Sequence, residues 1–395
     1  MSRYAVVVPD GAADSPLEEL EGKTPLQYAR TPNLDRLARR GRCGTALTIP
    51  PGLPAGSDVA NLALLGYDPR TYYCGRGPLE AASMGVRLRE GEYAFRCNLV
   101  SVEGGRLADY SAGHIPTEEA RRMIETLDRE LGGEGLRFHP GVSYRHLLVI
   151  RGDYGETLCT PPHDVVGSPL EEVEPRGPGS PKLRELIRLS REILSGHPVN
   201  LERRSNGFRG ADSIWPWGQG RTPDMPGLEE RFGLRGAVIT AVDLVKGLGI
   251  LAGLVPLRVP GATGYLDTDY AAKGRRALEA LRDFDLVYVH VEAPDEAGHE
   301  GLVEEKVRAL EEIDRFIVGP LLEEGGAPGG LRLLAVPDHP TPLRVRTHTA
   351  GAVPFALGGP GIEPDGCPSF CEEASRAGTW SRLPGWELLG LLVSA

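Results

Sequence analysis

Asp285-Leu286-Val287-Tyr288-Val289-His290-Val291 runs directly into Glu292-Ala293-Pro294-Asp295-Glu296-Ala297-Gly298-His299. The first part is a continuous apolar stretch and reads as a buried strand. Tyr4–Val8, closing at Pro9-Asp10-Gly11, and Leu331–Val336, closing at Pro337-Asp338-His339-Pro340, have the same character. Helical patterns surround these runs. Leu34, Leu37 and Ala38, for example, follow Thr31-Pro32-Asn33, with Thr31 read as the cap and Pro32 as the first helical residue. Strand and helix in alternation predict an α/β fold with a mostly parallel central sheet covered on both faces.

The middle of the chain differs. EYAFRCNLVSVEGG, EGLRFHPGVSYRHLLVIRG and GETLCTPPHDVVG read as β-ribbon strands joined by Gly-rich turns, with helices near Glu118–Leu131 and Lys182–Ser195. This predicts a smaller α+β domain over 76–208, inserted into a domain built from 1–75 and 209–395. GRGPLEAASMG and NGFRGADSIWPWGQGRTPD, rich in Gly and Pro, read as linkers. A chain of 395 residues suits two such domains.

Hydrophobic residues make up 41% and charged residues 25% of the chain, as in globular proteins. No apolar run approaches the roughly 18 residues of a membrane span, and MSRYAVVVPDG lacks the features of a signal peptide, so a cytoplasmic protein without membrane association is expected. Cys43, Cys74, Cys97, Cys159, Cys367 and Cys371 form neither a disulfide framework nor a zinc-ribbon spacing and read as reduced packing or loop residues. The net charge of −11 opposes nucleic-acid binding, which needs a basic face to release counterions. A small anion remains possible, because a local arginine cluster outweighs the global sign.

Asp10, Asp295 and Asp338 all sit just beyond the carboxyl end of a predicted strand, the edge of an open α/β sheet where sites form. With a helical turn starting after Pro294, Asp295 and His299 fall at i and i+4 on one face, where a carboxylate and an imidazole bind one cation. Asp338-His339 sits between two prolines that favour a sharp turn, and His348 follows in Arg346-Thr347-His348-Thr349. Singly, these residues also fit an ordinary turn, a helix cap and a loop histidine. Converging, three carboxylates and three imidazoles call for cations. A nucleophile is offered by Ser57, at the end of the Gly/Pro-rich loop Pro50–Gly56 and before an apolar helical run. Ser57 is either simply the helix cap or a hydroxyl activated by a cation at a helix N-terminus that favours a phosphoryl group.

With VVVPDGAAD, TPNLDRLA, LPAGSDVANLALLGYDP, GRGPLEAASMG, IWPWGQG, HVEAPDEAGHEG, DHPTP and RTHTAGAVPF in this order, nearly the whole chain resembles the archaeal-type cofactor-independent phosphoglycerate mutases of the alkaline phosphatase superfamily. The resemblance implies a three-layer α/β/α phosphatase-like domain with an inserted lid and two divalent cations (Mn2+, Zn2+, Co2+ or Mg2+). One cation would be held by Asp10, Ser57, Asp338 and His339, the other by Asp295, His299 and His348. It implies a phosphoserine relay between 3- and 2-phosphoglycerate at Ser57, without 2,3-bisphosphoglycerate. Further residues expected to act on the substrate are Lys246, as a catalytic cation, and His114, Arg145, His146, His163 and Asp164, as binding groups; Arg145 equally fits a surface strand arginine, His163 a turn residue and Lys246 the solvated end of a helix. His290 and Glu292 are expected to support the metal ligands.

The nearest rival is a metal-dependent phosphatase or phosphodiesterase of the same superfamily. A sulfatase is disfavoured, since no Cys-x-Pro-x-Arg context surrounds Ser57, and neither a Walker loop nor a kinase Gly-rich signature is present. A non-catalytic metal-stabilised protein would use closed sites, which a serine at a loop end argues against. Monomer and homo-oligomer are both compatible with the sequence.

Overall fold

The computed structural model describes residues 3–324 and 330–394. Its strands, in chain order, are β1 (Arg3–Pro9), β2 (Arg42–Leu47), β3 (Glu92–Glu103), β4 (Arg106–Asp109), β5 (Leu136–Val142), β6 (Arg145–Arg151) and β7 (Ser213–Gly220). They continue with β8 (Gly236–Ile239), β9 (Val255–Pro256), β10 (Leu286–Val291), β11 (Leu331–Ala335), β12 (Ala352–Gly358) and β13 (Trp380–Pro384). The chain divides into two compact units, residues 3–73 with 224–394 and residues 74–223.

The larger unit contains a sheet ordered β13-β2-β12-β11-β1-β10-β8-β9. Only β11–β12 and β12–β2 pair antiparallel; the other neighbours run parallel. This is the mostly parallel α/β sheet that the apolar runs predict. Every residue of β10 is buried, as in a strand covered on both faces. Because Cβ atoms alternate along a strand, Val287, Val289 and Val291 enter a core with Leu34, Leu37, Leu310 and Ile317, while Tyr288 and His290 point to the opposite face. β1 lies between β10 and β11, in register Pro9↔Val291 and Val7↔Ala335. Three strands therefore end side by side, and the loops after them emerge at one edge.

The helix Pro32–Arg40 begins at the expected proline, but the Thr31 side chain makes no capping bond. Its exposed amides are satisfied instead by Asp314, whose carboxylate accepts from Asn33 N at 3.2 Å and Leu34 N at 2.7 Å. A tertiary carboxylate has displaced the local cap.

The smaller unit is a sheet of β4-β3-β6-β5 with β7 paired to β3, one face packed on the helices Thr117–Leu131 and Ser180–Ser195. Three segments differ from their sequence reading. Arg76–Ser83 is a helix, and Ser213–Gly220 is a strand pairing along β3, so neither is a linker and this unit extends over 74–223. The expected strand in GETLCTPPHDVVG is reduced to a single bridge between Leu158 and Arg176, followed by the short 3-10 turn Pro162–Asp164, because consecutive prolines withhold ladder donors. No helix among the described residues is long and apolar enough to cross a membrane.

Candidate active site with two candidate metal clusters

Ser57 opens the helix Ser57–Leu64, and Gly56 occupies the N-cap position. The capping role considered for Ser57 is thereby ruled out. Its hydroxyl Oγ lies instead 3.0 Å from His339 Nε2. One turn on, Asn61 is fully buried; its amide donates to Asp338 Oδ2 at 2.8 Å and to Ser57 O at 2.9 Å, and its carbonyl accepts from Tyr288 OH at 2.6 Å. The serine helix and the loop after β11 are thus joined through one amide.

Asp10, Asp338 and His339 form the first cluster, with ligand atoms within 4.8 Å of one another. Asp338 is completely buried; its Oδ1 accepts from Gly11 N at 3.1 Å and His339 N at 2.8 Å. Gly11 adopts φ +62, and a Cβ there would stand 2.5 Å from Asp295 Oδ1, so only glycine lets the turn after β1 approach this closely. Asp10 is 3% exposed, and its Oδ1 has no hydrogen-bond partner among the described residues.

Asp295, His299 and His348 form the second cluster. The helix Ala293–Glu300 begins where Pro294 suggests, and the i, i+4 spacing brings His299 Nε2 to 3.2 Å from Asp295 Oδ2. His348 Nε2 lies 3.5 Å from Asp295 Oδ1 and 2.9 Å from His299 Nε2. The two clusters adjoin, the His339 and His348 rings being 4.2 Å apart between centroids.

Hydrogen bonds on the far sides of the rings fix their tautomers. His299 Nδ1 faces Arg346 O at 3.1 Å; a carbonyl only accepts, so Nδ1 carries a proton and Nε2, once deprotonated, presents a lone pair to the cluster. Thr341 Oγ1 gives its proton to Asp295 Oδ1 and therefore accepts from His339 Nδ1 at 3.2 Å, which leaves His339 Nε2 as a lone pair too. Metal-ligating histidines are oriented in this way.

The electrostatics fit divalent cations. Burial first, and then the charge of Asp338, holds the Asp10 carboxyl well above the usual carboxylate range. The Asp295 carboxylate raises His299 to about 8 against the effect of burial. Buried carboxylates crowded beside imidazole lone pairs are the donor set of divalent first-row metals.

In the smaller unit, Arg145, His114, His163 and Asp164 gather on one face. The His114 and Tyr144 rings are 6.1 Å apart, Tyr144 and Tyr110 5.7 Å, Tyr110 and His163 6.1 Å, and His163 and Trp217 5.4 Å. Arg145 lies 5.7 Å over Tyr144, and His163 Nε2 is 3.6 Å from Asp164 Oδ1. His146 does not join them. Neighbours on a strand point to opposite faces, so His146 turns into the core, 3% exposed, with Nδ1 accepting from Gly141 N at 3.0 Å. Burial, with the charge of Arg121, lowers it to about 3. Lys246, in the helix Asp243–Leu251 of the larger unit, is partly exposed, its Nζ 4.0 Å from Asp243 Oδ1.

Residues 38–200 match the family described as 2,3-bisphosphoglycerate-independent phosphoglycerate mutase. A relative from Methanosarcina acetivorans bearing that name is 52% identical over 394 residues, 99% of each chain. The chain belongs to the 2,3-bisphosphoglycerate-independent phosphoglycerate mutases. The enzyme is thus an isomerase by family. It is also 49% identical over 396 residues to a probable mutase of that name from Geobacter sulfurreducens, covering 99% of each chain. Among solved structures, a Pyrococcus horikoshii protein superposes with TM-score 0.84 at 30% identity, covering 100% of this chain and 97% of its own. The cofactor-independent phosphoglycerate mutase of Thermoplasma acidophilum gives 0.71 at 28% identity, covering 100% and 99%.

Several residues around these groups, in each unit, carry no signal in the sequence reading. Asn61 and Thr341 carry no motif of their own, though Asn61 stands one helical turn from Ser57. Arg96 and Arg76 stack on Trp217, their guanidinium carbons 4.7 and 5.8 Å from the ring centroid, beside Arg145; Arg96 is also ion-paired with Glu80 at 3.1 Å. The signal available was the pairing of Asn98 with Arg145, which puts Arg96, two residues away on β3, on the same side.

Proposed function

We propose that the enzyme interconverts 3- and 2-phosphoglycerate through a phosphoserine at Ser57. The observation that carries this reading is the position of Ser57 Oγ beside the first cluster, 3.0 Å from Nε2 of His339, whose ring adjoins that of His348 in the second. In the first half-reaction the Ser57 Oγ–P bond forms, the P–O bond to glycerate breaks, and the serine proton ends on the departing alkoxide. The second half-reaction reverses this on the other hydroxyl. Asp10, Ser57, Asp338 and His339 would hold one divalent cation, and Asp295, His299 and His348 the other. Bound there, manganese, zinc, cobalt or magnesium would lower the pKa of the serine hydroxyl and neutralise charge on the phosphoryl oxygens.

The N-terminus of Ser57–Leu64 favours the phosphoryl group through its amides and dipole. Asn61 keeps Asp338 and the serine backbone in fixed relation. In the inserted unit, Arg145, His114, His163 and Asp164 would bind the glycerate, and the unit would act as a lid that keeps water out and the intermediate in. Lys246 would supply a further positive charge during transfer. A cytoplasmic location agrees with this chemistry.

Purified enzyme incubated with 3-phosphoglycerate and manganese, with 2-phosphoglycerate and free phosphate followed together, tests the reading. Isomer without phosphate supports it; phosphate without isomer transfers the site to a phosphatase.

A further inference from the structure

Lys273 is completely buried on the helix Tyr270–Ala280, and no motif marks it. Its ammonium donates to Glu292 Oε2 at 2.8 Å and to His290 O at 3.0 Å. Glu292, 2% exposed, accepts with its other oxygen from Thr240 Oγ1 at 2.9 Å and Ala241 N at 3.0 Å. The same oxygen lies 3.2 Å from His290 Nδ1. A carboxylate only accepts, so His290 Nδ1 carries a proton and points it at Glu292. The opposite nitrogen, Nε2, then stands 3.3 Å from Asp10 Oδ2. The fully buried ring lies between two carboxylates, hydrogen-bonded to Glu292 and in ion-pair contact with Asp10.

We infer that Lys273 is a positioning residue for the Asp10–Asp338–His339 cluster, acting through Glu292 and His290 on the Asp10 carboxylate. The inference rests on the proposed reading of that cluster as a cation site. Asp338 has its own restraints in Gly11 N, His339 N and Asn61. Asp10 Oδ2 has its ion-pair contact with His290 Nε2 at 3.3 Å, and Oδ1 faces His339 Nε2 at 3.5 Å. The ammonium keeps Glu292 ionised at full burial, and an ionised Glu292 keeps the imidazole from turning. The second cluster is oriented by other groups, Arg346 O and Thr341 Oγ1. The relay therefore serves one site and not the other.

Cobalt(II) alone is the probe, with equilibrium dialysis for stoichiometry and affinity and the d–d absorption band for coordination. Wild-type protein is expected to take up two ions, and Asp10→Asn supplies the spectrum of the single ion at the other cluster. Lys273→Met is expected to lose about 10- to 100-fold in affinity at one site, the usual effect of removing a supporting partner. Its remaining spectrum should match that of Asp10→Asn. His290→Phe leaves the Lys273–Glu292 pair in place and should give the same selective loss; it decides the matter if Lys273→Met does not fold. Two ions bound with wild-type affinity in either folded variant, or equal weakening of both, would overturn the relay and leave the metal reading intact. A wild-type protein that takes up no cobalt would overturn both.

Discussion

Ser57 Oγ stands 3.0 Å from His339 Nε2, and the state of that nitrogen is set from the other side of the ring by Thr341, which accepts from His339 Nδ1 and donates to Asp295. One threonine hydroxyl thus links the orientation of a ligand in the first cluster to a carboxylate in the second.

Replacing Ser57 by alanine removes one oxygen from the first turn of a helix whose N-cap is Gly56, so the fold has little to lose. Ser57→Ala is expected to keep its circular dichroism and melting profile while isomerisation falls by about three orders of magnitude or more, as when a nucleophile is deleted. Near-wild-type turnover in this variant would remove Ser57 from the chemistry.

Chelation should destabilise the protein, because buried Asp10, Asp338 and Asp295 would lose their compensating charge. Ions that bind only the folded state stabilise it by about 2.7 kcal/mol when present at roughly a hundred times their dissociation constant. Calorimetry with EDTA and then with manganese should show a lower melting temperature in the chelator; coincident transitions would speak against bound cations.

His146 yields a pH prediction separate from the metals. Its folded-state value of about 3 lies below the unfolded value, so the unfolded chain binds the extra proton as the solution is acidified. Stability contributed by neutral His146 is therefore complete above the ordinary histidine pKa of about 6.5 and is lost as pH falls towards 3, by up to ~1.4 kcal/mol per pH unit. His146→Gln should flatten the acid limb of denaturant-measured stability and leave KM unchanged, since the residue faces away from the basic patch. A raised KM would place it at the substrate after all.

Arg96 and Arg145 occupy the face that His146 avoids. Losing one charged hydrogen bond to an anion costs about 1.5–3 kcal/mol, so Arg145→Ala and Arg96→Met should each reduce kcat/KM roughly 10- to 100-fold. Cobalt uptake should be unaffected. Steady-state kinetics on both variants measures this, and unchanged values would remove the patch from substrate binding.

Much of the candidate metal site was legible before folding. Asp10, Asp295 and Asp338 end apolar runs, and a parallel sheet delivers such ends to one edge. The His299 spacing needed only helical periodicity. The face of His146 was legible too, because alternation along β6 forbids Arg145 and His146 from sharing a side. β7 was mistaken for a linker because Pro216 and Gly218 masked a strand whose Ile214 and Trp215 are buried. The capping of Pro32–Arg40 by Asp314 had no local trace, since the carboxylate arrives from another part of the chain.

Taken alone, the sequence determined which side chains stand at the strand ends, which faces of the strands are apolar, and the family, because all of these are written in residue order and spacing. Tertiary structure alone decided which imidazole each oxygen of Asp10 faces, which nitrogens of His299 and His339 turn to the clusters, and that Lys273 stands behind Glu292. Those properties depend on hydrogen bonds of about 3 Å between segments far apart in the chain, and only the registers of β1, β10 and β11 and the helices packed on them set such distances.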